Sequence, residues 1–243
     1  MKNNEIKVLT PTPSGKNRRQ FLKISGMAIA GSGLLLACND DDDSGNVMPP
    51  AATFDLGAGD LGVLNYAYAL EQLEAAFYTN VLDGSYWAGA EAKEKKILED
   101  LYNHEINHRE FFKAALSANF SADVVLPSTL EFNFADIDFN DRDSVLSTAQ
   151  LLEDTGVSAY NGAGKLIETV DYLVIAGKIV SIEARHAAAI RSIRGAETDD
   201  YAYFAGDDVI TASTGLDAAL DPSKVIAAAG GFFVTPFTAN MLP

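Results

Sequence analysis

Two four-residue stretches, Glu105-Ile-Asn-His108 and Glu183-Ala-Arg-His186, constrain this chain more than any other feature. A glutamate three residues before a histidine lies about one helical turn from it on the same face, so each stretch aims a carboxylate and an imidazole at one point. The chain has only three histidines, and two of them carry that glutamate. Upstream of each pair runs a further apolar segment with a glutamate and, seven residues later, a tyrosine: Glu71 with Tyr78, and Glu153 with Tyr160. The order along the chain is therefore glutamate, Glu-x-x-His, glutamate, Glu-x-x-His.

Hydrophobic spacing predicts a helix under each of the four. The first spans 58–82, with Asp60 available as its N-cap and Leu64, Ala67, Tyr68, Glu71, Ala75, Tyr78 and Leu82 on one stripe. Asp83-Gly84 ends it, and a short loop holding Trp87 leads to the second, 89–117, whose inner stripe contains Leu98, Leu101, Glu105, His108, Phe112 and Leu116. The third spans 143–163 around Glu153, and the fourth 168–194 around Tyr172, Ile175, Ile179, Glu183, His186 and Ile190. Each stripe carries its acid near the middle. Between Ser117 and Arg142 the spacing turns from helical to alternating, as in Leu130, Phe132 and Phe134. That stretch has the length of the crossover needed by a bundle whose second and third helices run parallel. His104 points about a quarter turn from His108 and is expected at the surface.

Four carboxylates in a bundle interior repel one another, and each costs several kcal/mol to bury unpaired or neutralises itself through a raised pKa. The lysines and arginines nearest in sequence lie mostly off the inner stripes, which leaves cations from outside the chain to compensate them. With two neutral imidazoles the set sums to minus four, which two divalent ions cancel. Oxygen ligands with one imidazole per ion suit iron or manganese, and zinc less specifically. The competing reading is a metal-free bundle that keeps these side chains in an interior hydrogen-bonded network.

This ligand order resembles the ferritin-like carboxylate-bridged di-metal proteins, in which two helices each give a glutamate and two give Glu-x-x-His. Within them, Asn65-Tyr-Ala-Tyr-Ala-Leu-Glu-Gln-Leu-Glu-Ala-Ala-Phe-Tyr78 and Leu152-Glu-Asp-Thr-Gly-Val-Ser-Ala-Tyr-Asn161 resemble the bacterial secreted branch related to plant desiccation-associated proteins. The resemblance implies an all-α, ferritin-like four-helix bundle over 55–195, with a long crossover between the second and third helices. A C-terminal extension, 196–243, then packs on the bundle. It implies Glu105 and Glu183 as bridging carboxylates, Glu71 and Glu153 as terminal ones, and His108 and His186 as the imidazole on each ion. Glu74 is the rival for the first position, and Glu71 is preferred because only it reproduces the seven-residue spacing of Glu153 to Tyr160. Tyr78 and Tyr160 would stand behind the ligands, either as donors or electron relays, or as plain core.

Residues 1–37 read as an export signal: a polar basic start, Arg18-Arg19-Gln-Phe-Leu-Lys23, then an uncharged apolar run from Ile24 to Ala37 too short to span a bilayer. The twin arginines resemble the route that exports folded proteins, with an ordinary secretory signal as the alternative. Leu35-Leu-Ala-Cys38 resembles a lipobox, which makes Cys38, the only cysteine, the lipidated end of an exported protein on the periplasmic or outer face of a membrane. Residues 38–54, with Asp40 to Asp43, read as an acidic tether that serves either surface export or plain spacing. Downstream of the signal the chain holds 12 basic and 33 acidic residues, a net charge of −21. That excess argues against nucleic acid as a partner.

Two functions are compatible with these features. One is an envelope-anchored di-iron or di-manganese oxidoreductase of the oxidase, peroxidase or ferroxidase type, whose partners are the membrane, through the lipid, and a small oxidant such as dioxygen or peroxide. The other is a non-enzymatic protective or structural lipoprotein that uses the bundle as a scaffold. A homodimer is open to both.

Overall fold

The computed structural model describes residues 53–195, 200 and 202–243; the export signal with Arg18 and Arg19, the lipidation position Cys38 and nearly all of the tether lie outside them. The described chain forms α1 (Gly59–Asp83), α2 (Ser85–Gly89), α3 (Ala92–Asn119), α4 (Arg142–Ala163), α5 (Val170–Gly195) and α6 (Pro222–Ala229), with strands β1 (Phe54–Asp55), β2 (Ile210–Thr211), β3 (Leu216–Asp217) and β4 (Phe237–Thr238). It is an all-α fold whose four long helices are those the periodicity predicts. The loop expected to hold Trp87 is itself the short helix α2.

Helix direction follows from the core, which divides into two apolar clusters. One gathers Val63 to Leu70, Phe112 with Leu116, Ala159 with Tyr160, and Ile179. The other gathers Leu73 to Val81, Leu98 with Leu101, Val145 to Leu152, and Ile190 with Ile193. Helices α1 and α5 run from the first cluster to the second, and α3 and α4 run from the second to the first. The parallel pair α3 and α4 therefore needs a connection that travels the length of the bundle, and residues 120–141 supply it. The acids of all four helices fall between the clusters, so a charged layer is sealed above and below by apolar side chains.

Local chemistry sets the ends. Asp141 caps α4 by accepting from the Ser144 backbone N–H at 2.8 Å, and Pro222 opens α6, where its missing N–H costs nothing. Gly84 stops α1 where a Cβ would lie 2.3 Å from the Phe139 carbonyl oxygen, so only glycine lets the crossover pass this close. Asp60 is not the N-cap expected of it. The α1 cap is Ala58, without a side-chain bond, while the Asp60 carboxylate accepts from the Glu168 and Thr169 backbone N–H groups at 2.7 and 3.0 Å, just ahead of α5. An N–H group with no partner in its own helix is satisfied equally well from a neighbouring element.

The crossover is held by side chains of α1. Asn65 donates to the Leu56 and Val124 carbonyls at 3.0 and 2.9 Å and accepts from the Leu126 N–H at 2.9 Å, and Gln72 donates to Pro127 at 3.1 Å. Its alternating stretch pairs with the C-terminal tail through a Phe132–Phe233 bridge, and β4 of that tail lies parallel to β1. Arg191 of α5, 1% exposed, holds a further part of the tail by pairing with Asp154 at 2.6 Å and Asp208 at 2.6 Å. Among the described residues no helix is long and apolar enough to cross a membrane.

Candidate metal centre

The layer between the two apolar clusters holds Glu71 of α1, Glu105 and His108 of α3, Glu153 of α4, and Glu183 and His186 of α5. All four glutamates are fully buried. Their ligand atoms fall into two groups, each with every atom within 4.8 Å of the others: Glu71, Glu105, His108 and Glu183, and Glu105, Glu153, Glu183 and His186. Only Glu105 and Glu183 belong to both. His108 Nδ1 lies 3.4 Å from Glu71 Oε2, 3.4 Å from Glu105 Oε2 and 3.0 Å from Glu183 Oε1. His186 Nδ1 lies 2.9 Å from Glu105 Oε1, 3.3 Å from Glu153 Oε2 and 3.3 Å from Glu183 Oε2.

Close as they are, these atoms lack hydrogen-bond alignment. Glu71 Oε2, both oxygens of Glu105, both of Glu183, Glu153 Oε2, and Nδ1 of His108 and His186 are buried with no hydrogen-bond partner among the described residues. Buried polar atoms are seldom left so. Sorted by distance, they form two sets of three oxygens and one imidazole nitrogen, with one oxygen of each shared glutamate in each set. Hard oxygens with a single nitrogen fit iron or manganese better than softer ions. No lysine or arginine ion pair reaches the six among the described residues, and the buried Arg191 is committed to Asp154 and Asp208.

The remaining oxygens of the two outer glutamates are occupied. Tyr78 donates to Glu153 Oε1 at 2.5 Å, and Tyr160 donates to Glu71 Oε1. The seven-residue spacing read from the sequence thus joins residues that serve opposite sides of the layer. Seven residues rise about 10 Å along a helix, too far for a tyrosine to reach its own glutamate but suited to the one across the bundle.

Electrostatics follow from the packing. Burial acts against a charged His108, but Glu105, Glu183 and Glu71 around it outweigh this and push its pKa up to about 12. His186 is raised likewise: burial again opposes the charge, and Glu153, Glu105 and Glu183 override it. Burial and the neighbouring Glu183 carry Glu105 well above the usual carboxylate range. Burial raises Glu153 to about 7 against the pull of His186. Glu183, although buried, is drawn down to about 2 by His108 and His186. Without metal, these surroundings favour retained protons on His108, His186, Glu105 and Glu153.

Glu74 belongs to neither group. It is buried one turn beyond Glu71, against Gly156, where an added Cβ would come 3.2 Å from Glu74 Oε1. Burial and the charges of Glu105, Glu183, Glu153 and Glu71 push its pKa well up, which favours its neutral form behind the layer.

His104, for which the sequence implies only a surface position, also meets the layer. It is exposed, as expected, but its Nδ1 lies 2.8 Å from His186 Nε2, with the rings stacked 5.1 Å apart at 16°. If His186 presents an unprotonated Nδ1 to the layer, its proton sits on Nε2 and is donated to His104. The one available signal was that His104 lies one turn before His108, on a helix already known to face the layer.

A family model described as a ferritin-like domain matches residues 59–196 of this chain. No curated protein matches it.

Proposed function

Because this chain belongs to the ferritin-like domain family, with more than half of its length matched, we propose that its interior layer holds two iron or manganese ions and reacts with dioxygen or peroxide. The observation that carries the reading is the division of eight unpartnered buried atoms into two equal donor sets. One ion would be held by Glu71, His108 and one oxygen each of Glu105 and Glu183. The other would be held by Glu153, His186 and the remaining oxygens of the shared pair. Held there, two such ions would supply electrons for the reduction of an oxygen–oxygen bond.

The chain's own residues would do the rest. Tyr160 and Tyr78 hold Glu71 and Glu153 in place through the oxygens that face away from the ions. His104 orients the His186 ring. The two apolar clusters exclude water from the layer above and below, which strengthens each charge interaction inside it. In its biological setting we place the protein at the cell envelope, exported through the signal with Arg18 and Arg19 and tethered by a lipid at Cys38, as in the secreted, desiccation-related branch that its motifs resemble.

Elemental analysis of protein purified without chelator tests the proposal. The parent chain should carry close to two transition-metal ions, and the double variant Glu105→Ala, Glu183→Ala should carry none. Ferrous iron or peroxide consumption above background should then track the metal. A parent chain without transition metal ends the proposal, and a loaded chain that consumes neither oxidant nor iron leaves the scaffold function in its place.

A further inference from the structure

The carboxylate layer is closed differently on its two open sides. Helices α1 and α3 pack closely, as do α4 and α5, which leaves the α1–α4 and α3–α5 seams. Over the first, the crossover is held on α1 by Asn65 and Gln72, α6 of the tail packs on α4, and the Phe132–Phe233 bridge joins the two. A further layer of chain therefore roofs that seam. Between α3 and α5, which meet only sparsely, no described segment does the same. What stands there is imidazole: all three histidines of the chain gather on this side, with the His104 and His108 rings 5.1 and 6.2 Å from that of His186.

Exposure rises outward through this group. The four glutamates of the layer are sealed, the His186 side chain is 4% exposed and that of His108 14%, and His104 lies in the open. Both histidines of the layer turn Nδ1 inward, yet their outer sides differ. Nε2 of His186 meets Nδ1 of His104 at 2.8 Å, under a nearly parallel ring. Among the described residues His108 forms no hydrogen bond on its outer side. A ring that is covered and bonded from outside leaves its place only after that contact breaks, whereas one that borders water turns outward without that step.

We propose that His104 is a positioning residue that latches His186, and that the latch makes the two halves of the layer unequal in rate. The donor set with Glu153 and His186 exchanges its ion slowly, and the set with Glu71 and His108 exchanges its ion quickly. The inference rests on the reading of the layer as a two-ion centre and adds an order to it, in which the His108 side fills and empties first. The latch itself belongs to the chain and is present without metal.

Two measurements on the full chain test this. The first needs no metal and follows deuterium exchange at the imidazole C2 hydrogen by mass spectrometry. His104 should exchange fastest, His108 next and His186 slowest, and His104→Ala should quicken His186 about tenfold while leaving His108 unchanged. The second follows release of manganese from the loaded chain to excess chelator, which should occur in two phases. Glu153→Ala, which leaves only the His108 set complete, should show the fast phase alone, and Glu71→Ala the slow one. His104→Ala should quicken the slow phase about tenfold without changing the fast one, and His104→Gln, whose amide still accepts the His186 proton, should fall between parent and alanine. A His186 exchange rate indifferent to His104→Ala overturns the proposal, as does a single release phase or an equal quickening of both. If the chain carries no metal while histidine exchange behaves as described, the latch stands and only the two-ion reading falls.

Discussion

Tyr78 donates its hydroxyl to Glu153 across the bundle, at 2.5 Å, although the glutamate seven residues before it lies in its own helix. Tyr160 does the reciprocal for Glu71. The two halves of the layer are thus braced by each other's helices, and each tyrosine acts on the candidate donor set to which its own helix contributes no outer carboxylate.

This crossing makes a prediction that separates the two positions. In a Glu71→Ala background only the Glu153 and His186 position should keep its ligand set. There Tyr78→Phe should weaken the remaining ion about 10- to 100-fold, while Tyr160→Phe should leave it nearly unchanged. Competition titration with a chromophoric chelator reads both values. Equal effects from the two tyrosines would mean that the bracing is not specific to one side.

Glu105 is held well above the usual carboxylate range by burial and by Glu183, which favours its protonated form in the metal-free protein. Glu105→Gln exchanges that acid for a neutral amide of the same shape. Denaturant unfolding of the metal-free protein should shift by less than about 1 kcal/mol. Bound metal should nevertheless fall from two ions to one or none, because the shared carboxylate is lost to both positions at once. A large stability loss in the metal-free variant would show that Glu105 is charged there.

Metal loading should release protons. Below about pH 12 His108 keeps a proton in the metal-free layer, His186 is raised in the same direction, and Glu153 is about half protonated at pH 7. Ions need these groups free, so affinity should climb about tenfold per displaced proton for each pH unit between 5 and 8. The stability of the metal-free protein runs the opposite way. The His108 pKa is raised above its unfolded value near 6.5, so its contribution is complete below that value and fades as pH rises towards 12. The gap in melting temperature between loaded and metal-free protein should therefore widen with pH. Calorimetry in two buffers of different ionisation enthalpy counts the protons directly.

Arg191 is the one buried arginine or lysine among the described residues, paired with Asp154 and Asp208 and placed over the Tyr203 ring at 5.1 Å. Arg191→Leu should cost about 3 kcal/mol in denaturant unfolding, since it leaves the largely buried Asp154 without its cation. It should also loosen the segment that carries Tyr203 and Asp208, so limited proteolysis should cut there before it cuts the long helices. Metal content should be unaffected, because none of the six layer residues pairs with this arginine.

Much of this was readable in advance, and the reason is local. Helical period, the three-residue step from Glu105 to His108, and the placement of each acid within an apolar stripe are relations among residues within a turn or two of one another, where chain geometry alone decides who shares a face. The preference for Glu71 over Glu74 likewise used a spacing within one helix, and the layer's donor groups include the first and not the second. Asp60 shows where such reasoning stops: its position suited an N-cap, yet it bonds the backbone ahead of α5, 108 and 109 residues away.

By itself, then, the order of residues determined which stripe of each long helix would face inward and that only a long crossover could join the parallel pair. Tertiary packing alone decided that Tyr78 would serve Glu153, 75 residues distant, and that His104 would stack on His186, 82 residues distant. It also decided that α3 and α5 would part far enough to leave a cavity beside Tyr160. Periodicity specifies a face of a helix but not the rotation and height at which another helix meets it, and those two quantities set every contact made across the bundle.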